Sequence, residues 1–398
     1  MEIIAKTLFG LEDVLAKELI ELGADNLQIG NRMVSFTGDK ALLYKANFHC
    51  RTALRILRPI LTFPAKNPDE VYEKVKTIDW EQYISDHKTF AIDAVVHSDI
   101  FTHSKFVAYR VKDAIVDWFS ERDQPRPSVR INNPDIQLHI HVSHADCTLA
   151  LDSSGESLHK RGYRTEETGA PLNEVLAAGM ILKTRWKGDS AFIDPLCGSG
   201  TLLIEAALIA LNIAPGVFRS QYAFEKWDDF DADLFEQIST DDSCERPFNF
   251  KIYGSDSSPK AIQTAARNVK NAGLSKYIEL KVLAFQDITL PPEKGILITN
   301  PPYGERMHPR DLFQLYSDIG ERLKHVFSGY DAWIISSNQE GFDKIGLKPE
   351  ARYKLLNGTL ECEYRHYHIF EGKRKEFKRT TASSAPLPPK FPPASRKR

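Results

Sequence analysis

Residues 191–336 alternate short apolar runs with helical segments, and this alternation restricts the possible fold more than any other feature of the chain. The runs at 191–194 and 295–299 are too short for helices and contain β-branched residues, as buried strands do, and 278–282 predicts a further strand. Segments with apolar residues at helical spacing, such as 259–272, separate them. Strands that alternate with helices predict a mostly parallel, doubly wound α/β sheet.

The chain changes character after residue 350. Apolar segments at 353–358 and 363–370 flank a turn and predict an antiparallel pair, which we expect at one edge of the parallel sheet. From residue 373 to 398 the sequence is rich in Pro, Lys and Arg and has no apolar periodicity, which predicts a disordered basic tail.

The first 150 residues mix helical and strand signals and predict only a small α+β region. The predicted helices are 10–20, a second one that follows Asp39 and carries residues up to Arg58, 68–78 and 104–118, and the predicted strands are 31–36, 89–96, 136–142 and 147–151. A polar segment rich in Gly and Ser, 151–164, separates this region from a helix at 170–182 that has a Pro near its first turn.

Two patterns in this first region allow a functional or a structural interpretation. Arg51, Arg55 and Arg58 are spaced by four and three residues, so the predicted helix carries them on one face, either as a solvated surface or as a contact for phosphates. His139 and His141 alternate with apolar residues and predict an exposed strand face, because no Cys or carboxylate is spaced to complete a metal site.

Composition is typical of globular proteins. Of 398 residues, 42% are hydrophobic and 27% charged, and no apolar run is long enough to cross a bilayer. The amino terminus lacks a secretory pattern and the five cysteines form no CxxC pair, so we expect a cytoplasmic protein with no metal site. Residues 373–398 contain nine Lys or Arg and one Glu, a charge of +8 that leaves −10 for the rest, so RNA binding there requires a local basic patch.

The loop after the first strand of the alternating half has features of a cofactor site. It runs from Asp194 to Thr201, and Gly198 and Gly200 allow close approach of the backbone in front of a predicted helix amino terminus. A dinucleotide fingerprint would have a third glycine where Leu203 stands. Because Asp194 repels phosphate but attracts ammonium or sulfonium groups, the loop favours a cationic cofactor that carries an amino acid.

Two further acids and an amide follow the later strands. Asp256 ends the second strand, where a carboxylate can bind both ribose hydroxyls, and Asp287 follows the third, where it could accept an adenine amine. Asn300 follows the fourth strand, and Pro301 and Pro302 make a rigid turn after it. One such Asp could be a helix cap, but three at successive strand ends, followed by Asn300, indicate a site.

These motifs resemble those of class I S-adenosylmethionine-dependent methyltransferases that modify exocyclic amines. The matching stretches are 194–201, 254–256 and 300–303. Extended to 194–207 and 300–306, and joined by 160–164 and 170–172, they resemble the guanine-N2 methyltransferases of 23S ribosomal RNA, in which a ferredoxin-like subdomain and a THUMP RNA-binding domain precede the methyltransferase domain. The resemblance covers nearly all of the chain to about residue 372, and the methyltransferase motifs are its most specific part.

The resemblance implies a Rossmann-like methyltransferase domain at 156–372, a ferredoxin-like subdomain at 1–60 and a THUMP domain at 61–155. It implies S-adenosylmethionine as cofactor and 23S ribosomal RNA or a large-subunit precursor as partner, with no membrane or metal. Some family members continue into a second methyltransferase module, whereas this chain continues into the basic tail at 373–398, so we expect any activity of that module to be absent.

Position by position, the resemblance implies a cofactor site formed by the strand ends. Its expected members are Asp194, Cys197, Gly198, Gly200, Thr201, Asp256, Asp287 and Asn300. For catalysis, Asn300 Oδ1 and the Pro301 carbonyl would accept the N–H groups of a guanine amine and orient its nitrogen. An extruded base would stack on Tyr303. The RNA contacts expected elsewhere are Arg306, Arg51 and Arg55.

The motifs leave alternatives open. The same chemistry could act on guanine N2 of transfer RNA or on adenine N6 of a nucleic acid, because each target is an exocyclic amine. A non-catalytic RNA-binding or ribosome-assembly factor could also have this fold, although the complete set of acids with Asn300 favours an enzyme.

Overall fold

The structure is a computed structural model that describes residues 1–85, 87–165, 171–291, 293–303 and 309–370. Within these ranges the strands are β1 (Glu2–Lys6), β2 (Asp25–Gly30), β3 (Met33–Thr37), β4 (Arg55–Pro64), β5 (Thr89–His97), β6 (Ser128–Val129), β7 (Ile136–Ser143), β8 (Asp146–Asp152), β9 (Ala191–Asp194), β10 (Ile252–Asp256), β11 (Ile278–Val282), β12 (Gly295–Thr299), β13 (Asp331–Ser336), β14 (Ala351–Asn357) and β15 (Leu360–His368). The helices are α1 (Glu12–Glu21), α2 (Lys40–His49), α3 (Pro68–Lys76), α4 (Ser104–Ser120), α5 (Glu174–Thr184), α6 (Thr201–Leu211), α7 (Ala232–Thr240), α8 (Pro259–Asn271), α9 (Pro309–His325) and α10 (Gln339–Lys344).

The first sheet has eight strands in the order β2-β3-β1-β4-β8-β7-β5-β6. Strand β4 pairs antiparallel with β1 on one side and with β8 on the other. Strand β4 therefore joins the expected ferredoxin-like subdomain and the expected THUMP domain into one continuous sheet. The predicted helices 68–78 and 104–118 are confirmed as α3 and α4, and Asn67 caps α3 by accepting a hydrogen bond from the Glu70 amide.

The second sheet has seven strands in the order β11-β10-β9-β12-β13-β15-β14. The strands β9 to β13 are parallel to one another, whereas β15 pairs antiparallel with β13 and β14. The predicted doubly wound sheet with an antiparallel edge is thus confirmed, and the predicted strands 191–194, 278–282 and 295–299 match β9, β11 and β12.

The prediction of three arginines on one helix face is wrong. Helix α2 ends at His49, and Cys50 already has an extended backbone. Arg55 and Arg58 lie in β4 instead. The β-branched and apolar residues that follow Arg55 pair with two neighbouring strands, and this pairing outweighs the helical spacing of the arginines.

The prediction that His139 is exposed is also wrong. Its side chain is 6% exposed, and burial lowers its pKa to about 3, so the ring is neutral. Neither ring nitrogen has a hydrogen-bond partner among the described residues. His141, two residues further along β7, is half-buried. A smaller difference concerns α5, which starts at Glu174 with Asn173 as its cap, so Pro171 precedes the helix.

Each half of the chain contributes apolar residues to the hydrophobic core of the other half. Leu8, Leu11 and Val14 from the amino-terminal half are buried in the core of the second sheet. Conversely, the segment 214–238 between α6 and β10 packs into the core of the first sheet, where Phe224 stacks on Tyr44 with 4.4 Å between ring centroids. This exchange joins the two halves through buried apolar surface as well as through the connecting chain.

No helix within the described ranges is long and apolar enough to span a membrane.

Candidate active site

The site lies at the carboxyl ends of β10, β9 and β12. Asp256, Asp194 and Thr299 are the last residues of these three strands, and Asn300 follows directly. The chain places β10 on one side of β9 and β12 on the other, so the connections diverge there. In open α/β sheets this divergence forms the crevice in which ligands bind.

The loop between β9 and α6 is folded against the end of β10. The Cys197 amide donates to the Ser255 carbonyl at 2.9 Å, and the Gly198 amide donates to Oδ2 of Asp256 at 3.2 Å. Gly198 and Gly200 have φ angles of 51° and 84°, which favour glycine. A Cβ on Gly200 would lie 3.2 Å from the Ala265 Cβ, so this glycine allows α8 to pack against the loop.

Asp194 is buried and lies at the centre of the strand ends. Its Oδ1 accepts hydrogen bonds from the Thr299 hydroxyl at 2.8 Å and from the Leu196 amide at 3.2 Å. Burial raises the pKa of Asp194 to about 7, a shift to which the nearby Asp256 adds and which the two hydrogen bonds oppose. A cationic ligand would restore the ionised form, so this carboxyl is suited to a positively charged group.

Asp256 and Asp287 provide two more carboxylates on the side of β10 and β11. Oδ1 of Asp256 accepts a hydrogen bond from the Ser258 amide at 2.9 Å, and Ser258 itself caps α8. The carboxylate of Asp256 is therefore oriented by backbone amides rather than serving as the cap. Asp287 ends a short 3-10 turn after β11 and is exposed.

Asn300 provides an acceptor that no residue of the described ranges uses. Its Oδ1 is buried and has no hydrogen-bond partner among the described residues. Pro301 is also buried and cannot donate from its backbone nitrogen. A buried acceptor without a donor is costly, so this position suits an N–H group of a ligand.

Tyr303 is held by the antiparallel edge of the sheet. Its hydroxyl accepts a hydrogen bond from Asn357 Nδ2 at 2.5 Å, and Cys362 Sγ lies 3.9 Å away. The ring is half-buried against the core of the second sheet, and burial raises the pKa of the phenol. The hairpin β14–β15 thereby fixes the position of the residue expected to contact the base.

Thr201 and Cys197, both expected to contact the cofactor, are buried. The Thr201 hydroxyl accepts a hydrogen bond from Arg164 Nη2 at 2.8 Å, and the same nitrogen lies 3.3 Å from Oε1 of Glu174. Sequence reasoning did not assign Arg164 or Thr299 to the site. Their positions in the sequence could have indicated a role in the site. Arg164 ends the basic segment before the methyltransferase half, and Thr299 directly precedes Asn300.

The three arginines predicted to contact RNA differ in how the structure places them. Arg51 is 7% exposed, and its environment includes the buried carboxylate of Glu18, so the prediction that its side chain contacts RNA is wrong. Arg55 forms an ion pair with Asp152 and hydrogen bonds with the Gly155 carbonyl at 2.6 Å, but it remains partly exposed, and its RNA contact stays a prediction. Arg306 lies outside the described residues, as does the predicted tail.

These side chains fit S-adenosylmethionine. A buried carboxyl near the ends of β9 and β10 suits the cationic methionine part, and an oriented carboxylate at the end of β10 suits a ribose. No cluster of three or more His, Cys, Asp or Glu side chains with the arrangement of a metal site occurs in the described part of the chain.

Comparison with known protein families agrees with this geometry. The family model of the RMKL-like methyltransferase domain matches residues 161–366, that of the THUMP domain matches 65–152, and that of the RlmL ferredoxin-like domain matches 2–57. Among curated proteins, a putative RNA methyltransferase of Synechocystis is 40% identical over 91% of this chain and 95% of its own length.

Other relatives extend beyond the present chain. The ribosomal RNA large subunit methyltransferase K/L of Syntrophotalea carbinolica is 39% identical over 95% of this chain but only 54% of its own length. This chain therefore spans about half the length of the K/L relatives that it matches.

A solved structure shows the same architecture with a ligand. The putative methyltransferase SMU.472, crystallised in complex with SAH, has a TM-score of 0.85 and 31% identity, over 94% of this chain and 99% of its own. The chain is thus a member of the THUMP-containing family of RMKL-like methyltransferases, enzymes that use S-adenosylmethionine to methylate RNA.

Proposed function

We propose that this enzyme methylates N2 of a guanine in 23S ribosomal RNA. The observation that carries this proposal is the buried Oδ1 of Asn300, which has no hydrogen-bond partner among the described residues and lies beside the strand that ends in Asp194. An exocyclic amine is a donor of two N–H groups, and it matches an amide oxygen followed by a rigid prolyl backbone. The names of the K/L relatives, which act on large-subunit ribosomal RNA, favour that substrate.

S-adenosylmethionine, when bound, supplies an electrophilic methyl group on a sulfonium. The protein's part is to bind and orient both reactants. Asp194, Gly198 and Gly200 would hold the methionine portion, together with Cys197 of the same loop and Thr201, the first residue of α6. Asp256 would hold the ribose and Asp287 the adenine.

The guanine amine is a poor nucleophile because its lone pair is delocalised into the ring. Hydrogen bonds from the amine to Asn300 Oδ1 and to the Pro301 carbonyl would orient the nitrogen and increase its electron density. No strong base is needed before attack, because the nitrogen becomes strongly acidic only after it has gained a methyl group and then releases its proton to water. Tyr303 would contact the extruded base, in a position that Asn357 maintains.

The amino-terminal half would bring RNA to this edge. We propose a ferredoxin-like subdomain at 1–60, a THUMP domain at 61–155 and a methyltransferase domain at 156–372, with a basic tail at 373–398. The family models, which match 2–57, 65–152 and 161–366, support these limits. A cytoplasmic location, also proposed, agrees with the free cysteines of the described residues.

The test is methyl transfer from labelled S-adenosylmethionine to 23S ribosomal RNA, transfer RNA and DNA that lack modification, followed by mass spectrometry of the nucleosides. We expect N2-methylguanosine from 23S ribosomal RNA alone. N6-methyladenosine, or methylguanosine from transfer RNA, would replace the proposed target with another. No transfer to any nucleic acid would overturn the enzymatic interpretation.

A further inference from the structure

The segment 153–164 connects the two halves of the chain. It contains several Ser and Gly residues, and a connection of that composition is flexible when nothing holds it. Here its first residues are bound to β4. Ser153 and Ser154 are fully buried; the Ser153 hydroxyl donates to the Ile56 carbonyl at 2.6 Å, and the Ser154 hydroxyl accepts from the Ile56 amide at 2.8 Å. The connection therefore begins as a fixed extension of the first sheet.

Arg161 binds both halves of the chain at once. Its side chain is 2% exposed, and its Nη2 donates to the carbonyl of Arg51, just after α2, at 2.5 Å. Its Nη1 donates to the Leu158 carbonyl at 2.8 Å, within the connecting segment. Its Nε donates to Oε1 of Glu205, a fully buried carboxylate of α6, at 3.4 Å. One planar guanidinium thus connects the amino-terminal half, the connecting segment and the methyltransferase half.

Glu205 accepts a second hydrogen bond from the same segment. The hydroxyl of the buried Tyr163 donates to Oε1 of Glu205 at 3.0 Å. Between Arg161 and Tyr163 the chain passes close to Phe218. Gly162 has a φ of 119° there, and a Cβ on it would lie 2.2 Å from the Phe218 carbonyl oxygen. The glycine therefore allows the residues on either side of it to reach one carboxylate.

These contacts lie close to the cofactor loop. Thr201 is the first residue of α6, and Glu205 lies one turn later on the same face of that helix. Arg164, at the end of the connecting segment, donates to the Thr201 hydroxyl at 2.8 Å and to the Leu172 carbonyl at 2.9 Å. The segment that is bound to the amino-terminal half is therefore also bound to the first turn of α6.

A buried ion pair contributes little net stability but depends strongly on geometry. The cost of removing two charges from water often equals their attraction, and the attraction repays it only when the partners meet in one arrangement. The apolar contacts between the halves, by contrast, are not directional. The pair of Arg161 and Glu205 therefore adds a directional contact to the interface.

We propose that Arg161 is a positioning residue that fixes the orientation of the amino-terminal half relative to α6, so that RNA held by that half reaches Asn300 at a set distance. Arg161 is buried and acts through the two halves that it joins. The inference rests on the proposed function for RNA as the substrate, whereas the orientation of the halves is measured without RNA.

The first experiment measures the distance between the halves by double electron–electron resonance. Spin labels are attached to the exposed Cys244 and to Lys74→Cys, an exposed site on α3, and the other four cysteines are buried. Asn212 Nδ2 donates to the Cys244 carbonyl at 2.9 Å, which holds that site at the end of α6. The protein with Arg161 should give one narrow distance distribution, and Arg161→Met should broaden it. The same narrow distribution in both would overturn the proposal.

Arg365→Met is the matched control. Arg365 is similarly buried and forms an ion pair with Glu363 at 2.8 Å, but both residues lie within β15. Its loss should leave the distance distribution unchanged. Equal broadening would show that the loss of any buried arginine loosens the molecule, and would overturn the specific role of Arg161.

A double variant separates orientation from folding. Arg161→Met alone leaves the Glu205 carboxylate buried without its arginine, which can prevent folding. Arg161→Met with Glu205→Gln removes both charges and keeps an acceptor for the Tyr163 hydroxyl, so it should fold and still give the broadened distribution. A folded double variant with the narrow distribution would overturn the proposal.

Methyl transfer tests the consequence for RNA. Two substrates are compared, full-length 23S ribosomal RNA and a short RNA around the methylated guanine that cannot reach the amino-terminal half. In the double variant, kcat for the long RNA should fall about tenfold, because small misplacements of the reactants slow a reaction strongly. Transfer to the short RNA and the affinity for S-adenosylmethionine should not change. An equal loss with both RNAs would overturn the positioning role.

The two proposals can fail separately. No methyl transfer by the wild type, together with a distance distribution that depends on Arg161, would overturn only the proposed function. Wild-type transfer to 23S ribosomal RNA by the double variant would overturn only the positioning role of Arg161.

Discussion

The Thr299 hydroxyl donates a hydrogen bond of 2.8 Å to Oδ1 of Asp194, and both residues are buried. The bond joins the ends of two neighbouring parallel strands, one leading to the cofactor loop and the other to Asn300. It thus connects the carboxyl suited to the cofactor with the residue proposed to hold the substrate amine. A hydrogen bond to a buried carboxylate also lowers the cost of ionising it.

Thr299→Val keeps the shape of the side chain but removes this donor. We expect the affinity for S-adenosylmethionine to fall about tenfold, because a hydrogen bond to a charged group contributes about 1.5–3 kcal/mol and part of that is lost to rearrangement. Isothermal titration calorimetry measures it. Thr299→Ser keeps the hydroxyl and should bind as the wild type does, and an equal loss in both variants would contradict the role of the hydrogen bond.

Cofactor affinity should depend on pH through Asp194. Its pKa is about 7 in the folded protein, against 3.8 for an unperturbed carboxyl. A cationic ligand favours the ionised form, so the affinity should rise about tenfold between about pH 6 and about pH 8. The control is the pH profile of cofactor affinity for Asp194→Asn. The ammonium group of the cofactor titrates in the same way with both proteins, so the difference between the two profiles is due to Asp194. Parallel pH profiles would contradict this prediction.

The titration of Asp194 should also affect folding stability. As the pH rises, it should lower the stability of the cofactor-free protein, whereas it should raise the affinity for the cofactor. Because folding raises the pKa of Asp194, the stability that this residue contributes is complete below pH 3.8 and is lost as the pH rises through about 7. Without cofactor, Asp194→Asn should therefore gain stability relative to the wild type as the pH increases across that window. Thermal unfolding at several pH values measures the difference, and a difference that falls with pH would contradict the sign.

Asn300→Ala should abolish methyl transfer while leaving cofactor binding intact. The amide is proposed to orient the amine only as the reaction proceeds, and removal of such a preorganised group lowers kcat about 100-fold or more. Single-turnover kinetics with labelled cofactor measure the chemical step, and calorimetry measures cofactor affinity. A loss of cofactor affinity that accounts for the whole effect would place Asn300 in cofactor binding alone.

Asn357 should act through Tyr303. Asn357→Ala removes the 2.5 Å hydrogen bond to the phenol, and we expect kcat to fall about threefold to tenfold with unchanged cofactor affinity. Tyr303→Phe removes the same bond from the other side. Since both changes break one contact, the double variant should resemble either single one. Additive losses would show that the two residues act independently.

Much of the second sheet could be predicted because its signals are local. The strands β9 and β12 are short apolar runs, and β11 alternates apolar with charged residues. Asp194, Asp287 and Asn300 lie at the ends of these strands or shortly after them in the sequence. Parallel strands place these ends at one edge, so a shared site follows from the order of the elements. Whether each predicted residue touches the cofactor stays a prediction.

The predictions for the three arginines and for His139 are wrong because local sequence patterns carry no information on long-range contacts. The helical spacing of Arg51, Arg55 and Arg58 was misleading, because β4 pairs with β1 and β8, which are remote in the chain. His139 alternates like an exposed residue, but it is buried in β7, which lies inside the sheet with a strand on each side.

The sequence by itself determined the fold class, the cofactor and the edge at which the site lies, because periodicity, strand-end acids and loop motifs act over a few residues. Only the tertiary structure decided which side chains support them. Thr299 meets Asp194 across 105 positions of chain, and Asn357 meets Tyr303 across 54. The mixed composition of the two hydrophobic cores likewise depends on packing between the halves, and burial converts an ordinary acid such as Asp194 into one that titrates near neutral pH.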